Sequence, residues 1–188
     1  MQDLIEFQPA IGLGNPNFQT IVSSVGRKIF KPAWMDGFVA QSELHDIYAQ
    51  GNHLTAQYDR AKSQDAPLVM IIHGWLGSAD STYVLSAAHA LHLAGFNVAR
   101  LTLRDHGGTA HLNAGLFHSA MTDEVVAAAE FIMNDFPSSP AGLLGFSMGG
   151  NFVLRLAKHL PQVTTLAICP AISPVNTVEQ IGGSLIYE

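Results

Sequence analysis

Short hydrophobic runs alternate with amphipathic stretches along the chain from residue 67 onward. Leu68–Ile72 is apolar at every position, which is typical of a strand covered on both faces. The predicted strands comprise residues 68–72, 96–103, 141–144 and 163–168. The predicted helices comprise residues 83–94, 122–136 and the stretch after residue 147, where Phe152, Val153, Leu156 and Leu160 recur at helical spacing. This alternation predicts an α/β fold built on a mostly parallel sheet with helices on both faces.

The residues before 67 follow a different pattern. Residues 38–48 and 54–58 show partial alternation of apolar and polar side chains, and Gly51-Asn52 lies between them as a turn pair. Such a pattern predicts an antiparallel hairpin ahead of the parallel part of the sheet.

Residues 1–35 carry scattered glycines and prolines among isolated apolar side chains. They are predicted to form an irregular leader that wraps the domain, with a short helix near residues 18–25. Residues 36–188 are predicted to form a single core domain.

Local signals mark the ends of the helix predicted over residues 122–136. Thr122 precedes Asp123 and Glu124, and acidic side chains favour the first turn of a helix. Thr122 is therefore the predicted N-cap, and Pro137 lies just past the predicted end.

Composition narrows the class of protein. The chain has 188 residues, of which 48% are hydrophobic and 13% charged, as expected for one compact domain with a sizeable core. The net charge is −6 and the nine Lys and Arg residues are scattered, which argues against nucleic-acid binding. Cys169 is the single cysteine, which excludes an internal disulfide and fits a reducing compartment. No signal peptide or membrane-length apolar run is visible in the sequence, so a cytoplasmic protein is predicted.

Candidate chemistry centres on Ser147, which lies between Gly145 and Gly149 at the junction of a predicted strand and a predicted helix. A G-x-S-x-G sequence in this context is the nucleophile elbow of α/β-hydrolases. Flanking side chains would collide in so sharp a turn, and the two glycines remove them. The serine hydroxyl would then lie above the sheet edge, at a helix N-terminus whose dipole favours developing negative charge. We therefore predict a catalytic serine rather than a purely structural glycine turn.

Acyl transfer by serine also needs an oxyanion hole. The loop of residues 73–78 directly follows the strand at 68–72, where this fold presents a backbone N–H beside the nucleophile. The predicted donors are the backbone N–H groups of Trp75 and Met148. His73 is predicted to brace the loop by hydrogen bonding rather than to act as a base.

Three histidines and an aspartate lie in the polar loop of residues 104–119. His106, His111 and His118 lack the i, i+4 helical spacing of a zincin, and no paired carboxylate ligand is evident. A hydrogen-bonded loop at the pocket rim is favoured over a metal site, and no cofactor is predicted. Apolar side chains near the serine predict a pocket for a small-molecule, lipid-like ester. The predicted pocket residues are His73, Gly74, Leu76, Phe146, His106 and His118.

The chain resembles the YheT-like group of α/β-hydrolases, the bacterial relatives of the mammalian ABHD1/ABHD3-type esterases. The resemblance rests on four separated stretches, at residues 14–20, 73–78, 104–119 and 145–151, which span nearly the whole chain in the family's order. It implies an α/β-hydrolase core over residues 36–188 and hydrolysis of carboxylic esters with Ser147 as the nucleophile.

One departure from this family concerns the triad, which in this fold runs Ser, then Asp or Glu, then His. After Ser147 the acidic residues are Glu179 and Glu188 and the histidine is His159, about three turns along the helix that starts at the serine. Family members are longer, which implies that this chain lacks the C-terminal strands, the lid and the triad acid and base, and that it is inactive or impaired. Three alternatives stay open: a non-catalytic binding remnant, a thioesterase or acyltransferase, and an enzyme that recruits His106 or His118 as a substitute base.

Overall fold

The computed structural model describes residues 8–16, 18, 19, 21, 22, 32–63, 65–136 and 140–183. The strands are β1 (Glu43–Ala49), β2 (Asn52–Asp59), β3 (Leu68–Ile72), β4 (Asn97–Thr102), β5 (Pro140–Phe146) and β6 (Thr164–Ile168). The helices are α1 (Trp34–Gln41), α2 (Thr82–Leu93), α3 (Thr122–Asn134), α4 (Met148–His159) and α5 (Pro174–Gly182), with a 3₁₀ turn at Ala110–Leu112.

The six strands form one sheet in the order β1-β2-β4-β3-β5-β6. β1 pairs with β2, and β2 with β4, in antiparallel fashion, whereas β3, β4, β5 and β6 are parallel. In the register between β3 and β5, Ile72 lies opposite Gly145. The loop after β3 and the turn after β5 therefore leave the sheet side by side. The mostly parallel sheet with an antiparallel hairpin at its N-terminal side is confirmed.

Helices cover both faces of the sheet, each over its own apolar layer. Helices α3 and α4 pack on one face and α1 and α2 on the other. The side chains buried on the first face by these two helices are Val125, Ala128, Ala129, Ile132, Phe152, Val153 and Leu156, and Phe136 and Leu160 just beyond the helix ends join them. Those on the second face are Met35, Phe38, Val84, Leu85 and Ala88. β3 and β4 lie inside the sheet with both faces covered, and they are buried at every position.

The hairpin differs from its prediction in two respects. Its first strand was expected to start at residue 38, but residue 38 lies in helix α1, where Met35 and Phe38 are buried together at helical spacing. The turn lies at Gln50 and Gly51, one residue earlier than predicted, because Ala49 pairs with Asn52. Both turn residues have positive φ, 53° and 74°, which is the requirement of a type I′ hairpin turn.

Thr122 is not the N-cap of helix α3, contrary to the prediction. It is the first helical residue, and Met121 precedes it without a side-chain capping bond. The Thr122 hydroxyl instead accepts a hydrogen bond from Arg155 Nη1 on α4 at 2.5 Å. A long-range contact to a neighbouring helix has replaced the local cap.

The predicted leader lies mostly outside the described residues. Helical backbone is seen at Pro16, Phe18, Gln19, Ile21 and Val22, and the rest of the helix predicted near residues 18–25 is not described. The leader of residues 1–35 and the core beginning at residue 36 stay a prediction.

Candidate active site

Ser147 occupies the turn between β5 and α4 and is exposed to solvent. Its backbone has φ 52° and ψ −113°, a conformation that a side-chain-bearing residue adopts at a cost. Steric clashes explain why glycine occupies both flanking positions. A Cβ on Gly145 would lie 2.2 Å from the carbonyl oxygen of Gly149, and a Cβ on Gly149 would lie 2.3 Å from the carbonyl oxygens of Ile72 and His73. Both positions therefore exclude any side chain, and the turn holds the serine in one place.

Backbone hydrogen bonds tie this turn to the segment that follows β6. The Ser147 N–H donates to the carbonyl of Ile168 at 2.9 Å, and the Ser147 carbonyl accepts from the N–H groups of Asn151 at 3.0 Å and Ala171 at 3.2 Å. The Asn151 side chain also donates to the Ala171 carbonyl at 2.9 Å. The strained conformation of the serine is thus fixed from both sides.

The loop after β3 approaches Ser147 through its backbone. A Cβ on Gly74 would lie 3.3 Å from Ser147 Cβ, and the Gly77 N–H closes a tight turn on the Gly74 carbonyl at 3.0 Å. Among the described residues, no acceptor takes the Trp75 N–H. Met148 begins helix α4, so its N–H is one of the first four that have no acceptor within the helix. Two backbone N–H groups without acceptors among the described residues therefore belong to residues that line the same pocket as Ser147, one in the loop after β3 and one at the start of α4.

His73 is completely buried beneath this loop, and both of its ring nitrogens are engaged. Nδ1 contacts the carbonyl oxygen of Gly74 at 2.7 Å, and Nε2 accepts the N–H of Leu103 at 3.1 Å. Since Nε2 accepts, the proton resides on Nδ1, which donates to Gly74. Burial lowers the pKa of His73 to about 4, with the neighbouring His106 acting in the same direction. The imidazole is therefore neutral near pH 7 and links the ends of β3 and β4.

Acid should destabilise the fold through His73. In the unfolded chain this imidazole binds a proton near pH 6.5, whereas in the fold it does so only near pH 4, so stability is retained above pH 6.5 and falls as the pH drops toward 4. The loss should be on the order of 3 kcal/mol across that interval. Urea unfolding at several pH values, compared between the wild type and His73→Gln, measures this term because the other titrating groups are common to both proteins. Parallel stability curves for the two proteins would contradict the prediction.

The loop of residues 104–119 is held at four points. Asp105 accepts the Phe117 N–H at 2.5 Å, and Arg104 forms a buried ion pair with Glu124. Arg104 also donates to the Ala114 carbonyl at 3.2 Å. At its far end, Arg155 on α4 donates to the Ser119 carbonyl at 2.7 Å. Helix α4 therefore anchors the segment that carries His118 and Ser119.

The three histidines of this loop occupy different environments. His106 is buried, with Nδ1 at 2.7 Å from the carbonyl oxygen of Arg104, and its ring meets the edge of Phe117. Nδ1 of His111 lies 3.1 Å from the carbonyl oxygen of Gly108, and His118 is exposed. Within the described part of the chain, no group of three or more His, Cys, Asp or Glu side chains could hold a metal ion.

Ser147 opens into a pocket of about 970 Å³. Of the predicted pocket residues, Gly74, Phe146 and His118 line it, together with Trp75 and Met148. His73 and His106 do not line it because they are buried beneath the loops, and Leu76 does not because it projects into solvent. These three placements correct the sequence prediction. The remaining lining residues are Tyr83, Phe117, Ser119, Ile168, Cys169, Ala171, Pro174, Thr177 and Val178.

Two parts of the pocket were not predicted from the sequence. One is Tyr83 at the start of α2, where the tyrosine was assigned only to a helix. The other is the wall formed by the end of β6 and by α5, whose Pro174, Thr177 and Val178 line the cavity. The position of Tyr83 soon after the glycine loop was an available signal, whereas nothing local distinguishes the α5 residues.

These loops, the sheet order and the elbow together define a known arrangement. A family model described as the alpha/beta hydrolase fold matches residues 67–181. The chain belongs to the α/β-hydrolase family. The predicted resemblance is thereby confirmed at the level of the family and the fold.

Two curated relatives of this α/β-hydrolase connect it to esterases and lipases. YheT of Escherichia coli (strain K12), provisionally named an esterase, is 24% identical over 153 residues that cover 80% of this chain and 43% of that protein. The sn-1-specific diacylglycerol lipase ABHD11 of Mus musculus is 28% identical over 111 residues that cover 59% of this chain and 34% of that protein. The chain thus spans less than half the length of these relatives.

Solved structures agree on the fold. The Pyrococcus furiosus esterase Pf2001 superposes with a TM-score of 0.62 at 18% identity, covering 78% of this chain and 57% of that one. XC6422 from Xanthomonas campestris, described as an α/β serine hydrolase without a lid, gives a TM-score of 0.54 at 26% identity over 64% of this chain and 57% of that one. Among the helices of the described residues, none combines the length and apolar character needed to cross a bilayer.

Proposed function

We propose that this α/β-hydrolase is a serine hydrolase acting on carboxylic esters, with Ser147 as the nucleophile. The observation that carries the proposal is the strained conformation of Ser147, fixed between two glycines that tolerate no Cβ and exposed to a large pocket. Strain of this kind persists only where the surrounding structure enforces it, and it clusters at functional sites. A merely structural turn at this position has no need of a serine.

The reaction would follow the course of acyl transfer. The Ser147 hydroxyl oxygen attacks the ester carbonyl carbon, and a base takes its proton. The carbonyl oxygen becomes an oxyanion that accepts hydrogen bonds from the N–H groups of Trp75 and Met148. The alcohol leaves with the proton, and water then hydrolyses the acyl-serine to release the acid and restore the hydroxyl. His118 lines the pocket with Ser147 and is the base that this part of the chain offers.

The substrate class follows from the pocket walls. Trp75, Phe117, Phe146, Ile168 and Val178 present apolar surface around the serine. Burial of an alkyl chain against such walls is favourable by about 0.8 kcal/mol per CH₂ group. A small-molecule ester with an apolar, lipid-like acyl group fits this lining best. We place this activity in the cytoplasm, in keeping with the single cysteine of the chain.

A second candidate function is binding of such a ligand without catalysis. It is favoured by one observation: within the described residues, no Asp or Glu lines the pocket that contains Ser147 and His118. A triad without its acid loses much of its activity because the members act as a unit.

Fluorophosphonate labelling followed by intact-mass analysis distinguishes the two functions. We expect slow labelling of the wild type, because no Asp or Glu of the described residues lines the pocket to complete a triad, and no labelling of Ser147→Ala. The matched control is Ser86→Ala, which removes an exposed hydroxyl on α2 that bonds the Thr82 carbonyl. This variant should label like the wild type. A folded wild-type protein that takes no label would overturn the hydrolase proposal and favour the binding protein.

A further inference from the structure

Tyr83 is a pocket residue to which the mechanism above gives no role. It lies in the first turn of α2, and its ring packs edge-on against Phe146 with ring centroids 4.9 Å apart. Phe146 immediately precedes the nucleophile in the chain, so this contact fixes the tyrosine relative to the elbow. The Tyr83 side chain lines the same pocket as Ser147.

The Tyr83 hydroxyl accepts a hydrogen bond, and among the described residues its own hydrogen has no acceptor. The N–H of Gly74 donates to it at 3.0 Å. Over the described part of the chain, the phenolic O–H donates to no acceptor. A phenol that already accepts a hydrogen bond is a stronger donor because successive hydrogen bonds polarise one another. Within the described residues, the hydroxyl is therefore a donor without an acceptor in the pocket that contains Ser147.

The position of this donor relative to the nucleophile follows from Gly74. A Cβ placed on Gly74 would contact both groups, since it would lie 3.3 Å from Ser147 Cβ and 3.5 Å from the Tyr83 hydroxyl oxygen. The space beside Gly74 is thus bounded by the serine, the phenol and the carbonyl oxygen of Phe146, which would lie 3.3 Å from that Cβ. The loop that carries the Trp75 N–H begins at Gly74, so the phenol, the serine and this N–H belong to one region of the pocket.

We propose that Tyr83 donates its phenolic hydrogen to the substrate carbonyl oxygen as that oxygen becomes negatively charged, adding a side-chain donor to the two backbone N–H groups. This inference rests on the proposed function, because it assigns Tyr83 to the same oxyanion. No covalent bond forms at the tyrosine, and its proton stays on the phenol. The alternative is that Tyr83 only supports the loop through Gly74.

The test measures anion binding without requiring catalysis. In a Ser147→Ala background, the affinities for hexylphosphonate, an anionic analogue of the tetrahedral intermediate, and for neutral hexanamide are measured by calorimetry with and without Tyr83→Phe. Phenylalanine keeps the ring on Phe146 and removes only the hydroxyl. We expect hexylphosphonate to bind about 10- to 100-fold more weakly and hexanamide to change less than about twofold, since a hydrogen bond to a charged group is the stronger one. Tyr48→Phe, on the exposed face of β1 and stacked on His53, is the matched control and should leave both affinities unchanged.

The outcomes separate the two proposals. An equal loss for both ligands would assign Tyr83 to loop support, and unchanged phosphonate binding would show that the phenol is no donor; each result overturns the inference. Absence of hexylphosphonate binding to Ser147→Ala would overturn it as well. A wild-type protein that takes no fluorophosphonate but binds hexylphosphonate in a Tyr83-dependent manner would refute the hydrolase and leave the Tyr83 donor standing.

Discussion

Replacing Gly149 by alanine should strongly lower the free energy of unfolding of the protein. The new Cβ would lie 2.3 Å from two backbone carbonyl oxygens, those of Ile72 and His73, and 2.7 Å from the Ile72 carbonyl carbon. Backbone atoms at the end of a central strand cannot move aside as a flexible side chain would. The cost should exceed about 3 kcal/mol, a large part of the stability of an ordinary domain. Urea unfolding monitored by circular dichroism measures it.

The control for this substitution is Gly37→Ala in helix α1. A Cβ at Gly37 would meet no atom within 4 Å, and the residue lies inside a helix. Alanine should therefore stabilise the protein by up to about 1 kcal/mol through helix propensity. If Gly149→Ala and Gly37→Ala unfold at similar urea concentrations, the elbow does not approach β3 as closely as described.

The parallel part of the fold was predictable because its signals are local. A strand such as Leu68–Ile72, buried on both faces, must be apolar throughout, and the glycines and prolines that bound the elements lie within a few residues of their ends. Helix α1 escaped prediction for the opposite reason. Gly37 and a short apolar stretch around Phe38 resemble the start of a strand, and helical spacing becomes apparent only when Met35 and Phe38 are seen to share a buried face.

The residues of the candidate site were predictable only where their distance along the chain from a strand end determines their position. Ser147, Met148 and Gly74 lie at fixed offsets from strand ends, so the order of elements brings them together. Tyr83 belongs to the site because its hydroxyl accepts the Gly74 N–H, and its position soon after the glycine loop was the one local signal of that contact. His106 and Leu76 show the converse: both lie in the predicted loops, but the direction of a loop side chain depends on packing against the other loop.

Removing the buried carboxylate of Asp59 should cost about 3 to 5 kcal/mol of stability, because the buried Arg100 charge would keep only the half-exposed Asp80 carboxylate, at 3.1 Å, as an ionic partner. Arg100 is fully buried, with Nε at 2.8 Å from the Asp59 carboxylate on the adjacent strand. It also donates to the Ala79 carbonyl at 2.7 Å and to the Ser42 hydroxyl at 2.7 Å. The variants to compare are Asp59→Leu, Arg100→Met and the double replacement, each followed by urea unfolding.

The decisive comparison is between the stability lost in the double variant and the sum of the losses in the two single variants. Once both charges are gone, the interior contains no unpaired ion, so the loss should be smaller than the sum of the single losses by more than about 2 kcal/mol. The double variant should still lose some stability, because the Ala79 carbonyl would lose the hydrogen bond from Arg100. Ala79 follows the loop that begins at His73 and carries the Trp75 N–H. The exposed Arg60–Glu43 pair, with Nε and Oε2 3.0 Å apart, is the matched control, and its removal should cost less than about 1 kcal/mol. Additive losses at Asp59 and Arg100 would show that the two side chains act independently. That result would mean that the Asp59–Arg100 pair does not hold the loop of residues 73–78 to the sheet.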